Sequence, residues 1–353
     1  MRYPETKALP EILDRVETCL KNALPFAIYR KPGETDILGV FQWDDSLHLS
    51  KDFTEKGFVF APFDTQNDIV LIKPDEIWKG DFSKAEPKAM SKVALDESGK
   101  MEHIDLVKKG IKEIEKGRLQ KVVLSRKIKV PNTKPPLKIF KTLLNLHPNA
   151  FGYLFYHPKV GIWCGATPET LVKIKDTKLM TMSLAATLPY VDNKKPNWGI
   201  KEIEEQQMVS EYIGDKLAHT MERLEIDEAE SVRAGNLWHL RSEVRGEMLP
   251  NLKVKEVITA LHPTPAVCGI PTTEARHFIQ ANENYKRTFY TGFLGELNLV
   301  SQGELSLFVN LRCMELESDA AYIFVGGGIT EASDPESEWI ETQNKSKTML
   351  GVL

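Results

Sequence analysis

Near the C-terminus, Glu338, Glu341 and Lys345 stand at i, i+3, i+7 spacing, which puts all three on one face of a helix. Two carboxylates and an ammonium on one face are either a solvated charged surface or a site for charged ligands. The preceding residues strengthen the second alternative. Gly326, Gly327 and Gly328 close an apolar run, Ala321 to Val325, and let the backbone come close to another group. Asp334 or Ser333 can cap the helix and Pro335 suits its first turn. The segment reads as strand, glycine turn and helix, with a helix start suited to an anion.

A second pair of carboxylates lies mid-chain. Between about Gly199 and Leu224 an apolar stripe of Val209, Ile213, Leu217, Met221 and Leu224 predicts a long helix. Extended backwards, the stripe lands on Glu205 and Glu202, whereas Glu204 points elsewhere. A carboxylate facing a core needs a cation, and a metal or a basic side chain serves equally. Other candidates are single residues. Lys121 opens the strand Lys121–Ile128, sharing a face with Val123 and Ser125 opposite Val122, Leu124 and Ile128. Glu169 follows Pro168 at a kink between apolar segments, and His262 opens a rigid turn with Pro263, Pro265 and Gly269. Arg312 alternates with Phe308 and Asn310 along a strand predicted over Glu304–Cys313.

The elements that must position these groups are mostly strands. After a helix over Leu9–Leu24 ended by Pro25, short strands are expected at Phe26–Arg30, Ile37–Gln42, Gly57–Pro62 and Asp68–Ile72. Lys79 to Lys100 is polar without periodicity and reads as a surface linker. Ile104, Val107, Ile111 and Ile114 mark a helix closed by Gly117. Strands at Gly152–His157, Gly161–Thr167, Leu171–Lys175 and Lys178–Thr187 have tight turns between them and predict an antiparallel meander. A strand over Val232–Val244, helices over Val254–Leu261 and Thr273–Ala281, and a strand over Gly292–Leu299 complete the pattern.

The chain of 353 residues, net charge −4, is long enough for a large core and has no basic block that would mark nucleic acid as its partner. Cys19, Cys164, Cys268 and Cys313 are scattered, which indicates neither a zinc site nor a disulfide framework. No signal peptide and no membrane span are expected, so a reducing cytoplasm is the expected home.

Several segments together resemble the chorismate-utilising enzymes: Lys121–Arg126 (KVVLSR), Ala166–Glu169 (ATPE), Leu184–Thr187 (LAAT), His262–Gly269 (HPTPAVCG), Gly326–Ile329 (GGGI) and Ser333–Lys345. The resemblance runs in order over roughly residues 100 to 353 and is much more specific than any one motif. Within the family the chain is most similar to isochorismate synthases of menaquinone or catechol-siderophore pathways. The implied fold is α+β, two large antiparallel sheets packed face to face with helices outside and the active site in the cleft between them. Residues 1–95 would complete the sheets and residues 96–353 would form the chorismate-binding catalytic region.

Carried over by position, the resemblance implies Mg²⁺ held by Glu205 and Glu341, with Glu202 and Glu338 one turn before each. It makes Lys121 the base that activates water for attack at C2 of chorismate and Glu169 the acid for the C4 hydroxyl. Lys121 must then accept a proton and Glu169 give one, so both must sit in a dry, closed site. Ala186, Thr187, His262, Arg312, Gly326, Gly328 and Lys345 would contact the substrate. Lys121 and Ala185 separate the chain from the ammonia-using members of the family, so no amidotransferase subunit is expected, and a monomer or weak homodimer is. A salicylate synthase, which goes on to eliminate pyruvate, shares the lysine and the glutamate. The chain departs from the family at Ala186, where glycine is usual.

Overall fold

The computed structural model describes residues 4–82, 97–191, 194–235 and 237–353. A short strand β1 (Glu5–Thr6) leads into α1 (Leu9–Lys21), whose Ile12, Val16 and Cys19 recur at helical spacing and are buried. Six strands follow: β2 (Phe26–Arg30), β3 (Asp36–Phe41), β4 (His48–Ser50), β5 (Gly57–Ala61), β6 (Ile69–Ile72) and β7 (Glu76–Asp81). The expected linker from Lys79 to Lys100 begins inside β7, which pairs with β3; its residues 83–96 lie outside the described residues.

Beyond α2 (Lys100–Glu115) and β8 (Lys121–Pro131) stands α3 (Pro136–Leu146), a helix not expected from the sequence. Pro136 sits in its first turn, where the missing N–H costs nothing, and Leu137, Phe140, Leu143 and Leu144 form its buried face. β9 (Phe151–His157), β10 (Gly161–Thr167), β11 (Thr170–Lys175) and β12 (Lys178–Pro189) were expected as one meander. They are two hairpins in different sheets, and the chain changes sheet at Pro168–Glu169, where proline cannot donate to a ladder.

α4 spans Ile200–Ala218 and stops short of the expected Leu224. Met221 and Leu224 belong to β13 (Met221–Ile226), and the Met221 sulfur lies over Gly246 of the neighbouring strand. The strand expected over Val232–Val244 is a hairpin, β14 (Glu230–Ala234) and β15 (Leu237–Met248), with Gly235 between them at φ 62°. Then come α5 (Val254–Leu261), β16 (Gly269–Ile270), α6 (Thr272–Asn282) and β17 (Phe293–Leu297). The strand expected over Glu304–Cys313 divides into β18 (Leu305–Val309) and β19 (Cys313–Leu316), because the backbone turns at Arg312 (φ 45°) and changes sheet again. β20 (Ala320–Ile329) and α7 (Pro335–Leu350) end the chain. The three glycines lie within β20 rather than in a turn, and none has a positive φ.

One ten-stranded sheet runs β1-β7-β3-β2-β9-β10-β19-β20-β8-β16, and the other runs β13-β15-β12-β11-β18-β17-β5-β6-β4 with β14 beside β15. The architecture is thus α+β with two large sheets, antiparallel except for the β1–β7 pair. Their inner faces meet in an aromatic layer, in which Phe151 stacks on Phe308 at 4.1 Å, Phe60 on Phe289 at 4.2 Å and Trp163 on Phe324 at 5.3 Å. α1, α3 and the end of α7 cover the outer face of the first sheet, and α4 and α5 cover that of the second. No helix among the described residues is long and apolar enough to cross a membrane.

Two details open a cleft at one end of this sandwich. β20 pairs with β19 only through Ala321–Phe324, so from Val325 onward its edge on that side has no strand partner. The two sheet-changing segments lie side by side, with Val309 N donating to Glu169 O and Ala166 N to Arg312 O, each at 3.0 Å. The aromatic layer is the glue between the sheets. Phe308→Ala should therefore cost about 3–5 kcal/mol, the usual range for truncating a buried aromatic, read as a lowered urea midpoint with an unchanged slope.

Candidate active site

The glycine ribbon of β20 is the floor. A side chain built on Gly328 would put its Cβ 2.2 Å from Glu205 Oε1 and 3.0 Å from Lys121 Cε. One on Gly327 would lie 3.1 Å from Glu338 Oε2 and 3.5 Å from Glu341 Oε1. The glycines are needed for close approach, and three carboxylates from two helices crowd onto the same few atoms of backbone. Their charges are matched by lysines. Lys121 Nζ, fully buried on β8, lies 2.9 Å from Glu205 Oε1. Lys345 Nζ, one turn after Glu341, lies 2.6 Å from its Oε1 and donates to Gly326 O at 2.9 Å. Lys201 of α4 pairs with Glu338 of α7, joining the two helices. Ser333 Oγ also donates to Glu338 Oε1 at 2.7 Å, and Asp334 caps α7 through Ser337 N.

These contacts set the charge states. Burial opposes ionisation of Glu205, yet Lys121 and Lys201 together hold its carboxyl below the usual range. Glu338 is pushed up, first by burial and then by Glu341, against the pull of Lys201. Its Oε2 is buried with no partner among the described residues. Glu169 differs from all three. It is buried at the first sheet change with no basic side chain in contact among the described residues, and desolvation lifts its pKa to about 8, more than Lys121 and Lys345 can offset from a distance. It is an acid that keeps its proton at neutral pH.

Arg312 sits at the second sheet change. Its Nη1 lies 3.3 Å from Thr348 Oγ1 and its Nη2 lies 3.4 Å from His239 Nε2, and no carboxylate pairs with it among the described residues. Burial lowers its pKa to about 10, which leaves it cationic. His239, absent from the sequence-derived set, is held neutral by burial, its pKa near 3. With Arg312 donating to Nε2, the ring proton is on Nδ1, which lies 2.8 Å from Ala186 O. Thr187 Oγ1 is 3.4 Å from the same nitrogen. Ala186 itself has φ 60°, at a β-bulge of β12, in the left-handed region where glycine is at ease.

Lys121, Glu205, Glu338, Glu341 and Lys345 are therefore brought together, and Glu169, Ala186, Thr187, Arg312, Gly326 and Gly328 line the same cleft. Two candidates are elsewhere. His262 lies outside the cleft lining: its Nε2 is 3.1 Å from Phe63 O and its ring packs edge-on against Phe293. Glu202 turns back to accept from Gly199 N at 3.0 Å, capping α4 instead of joining the other carboxylates. The sequence gives no signal for His239, one inward polar residue on a strand, or for Lys201, whose role depends on α4 meeting α7.

The space in the cleft that a water molecule's centre can reach is only about 70 Å³. Among the described residues no three potential ligands gather tightly around one point. Even so, the donor set suits a hard divalent cation: carboxylates from α4 and α7 over a wall without side chains, and one buried oxygen without a partner among the described residues.

The family model described as "Chorismate binding enzyme" matches residues 69–353. Isochorismate synthase DhbC of Bacillus subtilis is 30% identical over 319 residues, covering 83% of this chain and 79% of that protein. Anthranilate synthase component 1 of Aquifex aeolicus is 25% identical over 323 residues, covering 86% of this chain and 59% of that protein. The crystal structure of a Bacillus anthracis protein described as a 2,3-dihydroxybenzoate-specific isochorismate synthase superposes with a TM-score of 0.82 at 25% identity. It covers 97% of this chain and 98% of that one.

The strained Ala186 supplies a test of the site's backbone. Ala186→Gly keeps the carbonyl that His239 contacts and removes the Cβ penalty, so it should stabilise the protein by about 1 kcal/mol, measured by urea unfolding.

Proposed function

The chain belongs to the chorismate binding enzyme family, and from that premise we propose that it is an isochorismate synthase, an isomerase that moves a hydroxyl from C4 to C2 of chorismate. The observation that carries this reading is a pair of buried groups: Lys121, beside Gly328 of the cleft floor, and Glu169 in the cleft lining, whose pKa burial raises to about 8. In its amine form, freed from the ion pair with Glu205, Lys121 takes a proton from water as the oxygen bonds to C2. The ring double bonds shift, and Glu169 gives its proton to the C4 hydroxyl, which departs as water. Atoms balance, and the result is isomerisation. The narrow, buried cleft supports this because proton transfer then occurs between fixed groups rather than with bulk solvent.

Glu205, Glu338 and Glu341 would hold Mg²⁺, which when bound would supply positive charge to the ring carboxylate of the substrate. With Glu205 committed to a cation, Lys121 has no other acceptor among the described residues and can turn to water. Arg312 and Lys345, both in the cleft lining, would receive the second carboxylate. Water as nucleophile requires no ammonia-supplying subunit. All four cysteines are free and buried, which suits a reducing compartment such as the cytoplasm.

The reading is tested by chromatography of the products from chorismate and Mg²⁺. Isochorismate supports it, salicylate assigns the chain to the pyruvate-eliminating branch, and unchanged chorismate overturns it. Two further outcomes follow from the site. The acid form of Glu169 is lost as pH rises through about 8, so kcat should fall above that pH. Glu169→Gln should lower kcat by about 10²- to 10⁴-fold and erase that limb. Glu341→Gln should keep the fold by circular dichroism yet lose Mg²⁺ binding by calorimetry together with activity. Mg²⁺ affinity equal to wild type in that variant would remove Glu341 from the metal site.

A further inference from the structure

Behind the cleft, and forming no part of its lining, lies a buried ion pair on the loop between α6 and β17. Arg287 Nε donates to Glu283 Oε2 at 2.8 Å and its Nη2 to Glu283 Oε1 at 2.6 Å. The other hydrogens of the guanidinium go elsewhere. Nη2 also donates to Val123 O at 2.7 Å, and Nη1 donates to Val267 O at 2.8 Å and to Thr291 Oγ1 at 3.3 Å. All of the guanidinium's donors are thus in use, and its face is covered by Phe63 at 4.8 Å. Glu283 Oε1 in turn accepts from both the backbone N–H and the hydroxyl of Ser125, at 2.8 and 2.7 Å.

What the pair holds gives its role. Val123, Val267 and Thr291 all line the cleft, from three different segments of the chain. Val123 and Ser125 follow Lys121 on the same face of β8, and Val123 N donates to Cys268 O at 2.7 Å. A cation anchored by its own carboxylate therefore fixes β8 against the neighbouring 266–268 loop beside the cleft. A lysine could replace the charge, but its three donors could not replace the fork that reaches five acceptor atoms at once.

We propose that Arg287, oriented by Glu283, is a positioning residue that sets where Lys121 stands relative to the substrate; the proposal rests on the reading of Lys121 as the base. Removing the fork lets β8 drift, and a displacement of about 1 Å at a reacting group costs on the order of 10²-fold in rate.

The test uses Arg287→Lys and, as a milder lesion that leaves the ion pair in place, Ser125→Ala. Arg287→Lys should lower kcat about 10- to 100-fold with KM for chorismate nearly unchanged, because the groups that grip the substrate are untouched. Hydrogen exchange read by mass spectrometry should quicken in peptides spanning residues 121–125 and 264–269 and not elsewhere. Ser125→Ala should shift both readouts in the same direction by a smaller factor. Should Arg287→Lys fail to fold, the Ser125→Ala readouts alone decide. Wild-type kcat in the folded variants, or faster exchange spread evenly over the molecule, would overturn the proposal. A wild-type protein that makes no isochorismate would instead overturn the reading on which it rests, while the exchange experiment still reports whether the clamp holds β8.

Discussion

The structure depends on there being no side chain at Gly328. Lys121 rises from β8 and Glu205 reaches in from α4, and they meet where a Cβ at position 328 would stand. Any other residue there would drive the carboxylate away and separate the helix layer of one sheet from the floor of the other. The rest of the charge arrangement follows from this contact. Once Glu205 is fixed, Lys201 on the same helix comes to Glu338, and α7 presents Glu341 and Lys345 along the same ribbon. Buried carboxylates are tolerated because each has an ammonium beside it. Glu169 lacks one in contact and accordingly keeps its proton.

The second constraint is where the chain changes sheet. Both crossings, at Pro168–Glu169 and at Asn310–Arg312, are hydrogen-bonded to each other, so Glu169 and Arg312 are carried on backbone held from both sheets. Strain gathers nearby. Ala186 (φ 60°), Thr291 (φ 60°) and Arg312 (φ 45°) are non-glycine residues in left-handed conformations, and all three line the cleft. Each aims a carbonyl or side chain that a regular strand would turn away.

The local elements were largely legible in the sequence, because alternation and helical stripes report burial directly. The strands from Phe26, Gly57 and Ile69, the stripe of Val209, Ile213 and Leu217, and the cap at Asp334 needed only neighbouring residues to be read. What failed was membership. Nothing in Thr167–Pro168–Glu169 tells that the next strand joins another sheet, and the 304–313 segment alternates smoothly through its own break. The carboxylates of α4 and α7 could be seen as anomalies, and Lys345 as sharing a face with Glu341, but not that Lys121 would meet Glu205 or Lys201 meet Glu338, since each of those pairs joins distant segments. His262, conspicuous among prolines, turned out to serve the scaffold, while His239, inconspicuous on a strand, faces the cleft.

The pairing of β8 with β20 has a bearing on how the molecule comes into being. Residues 122–131 find the ladder partner of one edge in residues 320–329, made far later, while the other edge pairs with β16 at Lys121 and Val122 alone among the described residues. On the ribosome, β8 must wait with one edge bare and its lysine without the glycine floor beside it. Contacts so distant in the chain form slowly and leave sticky edges open meanwhile. Shortening the chain before Ile329 would therefore remove the partner of the lysine strand along with the floor of the cleft, and such fragments should be clients of chaperones rather than partially working enzymes.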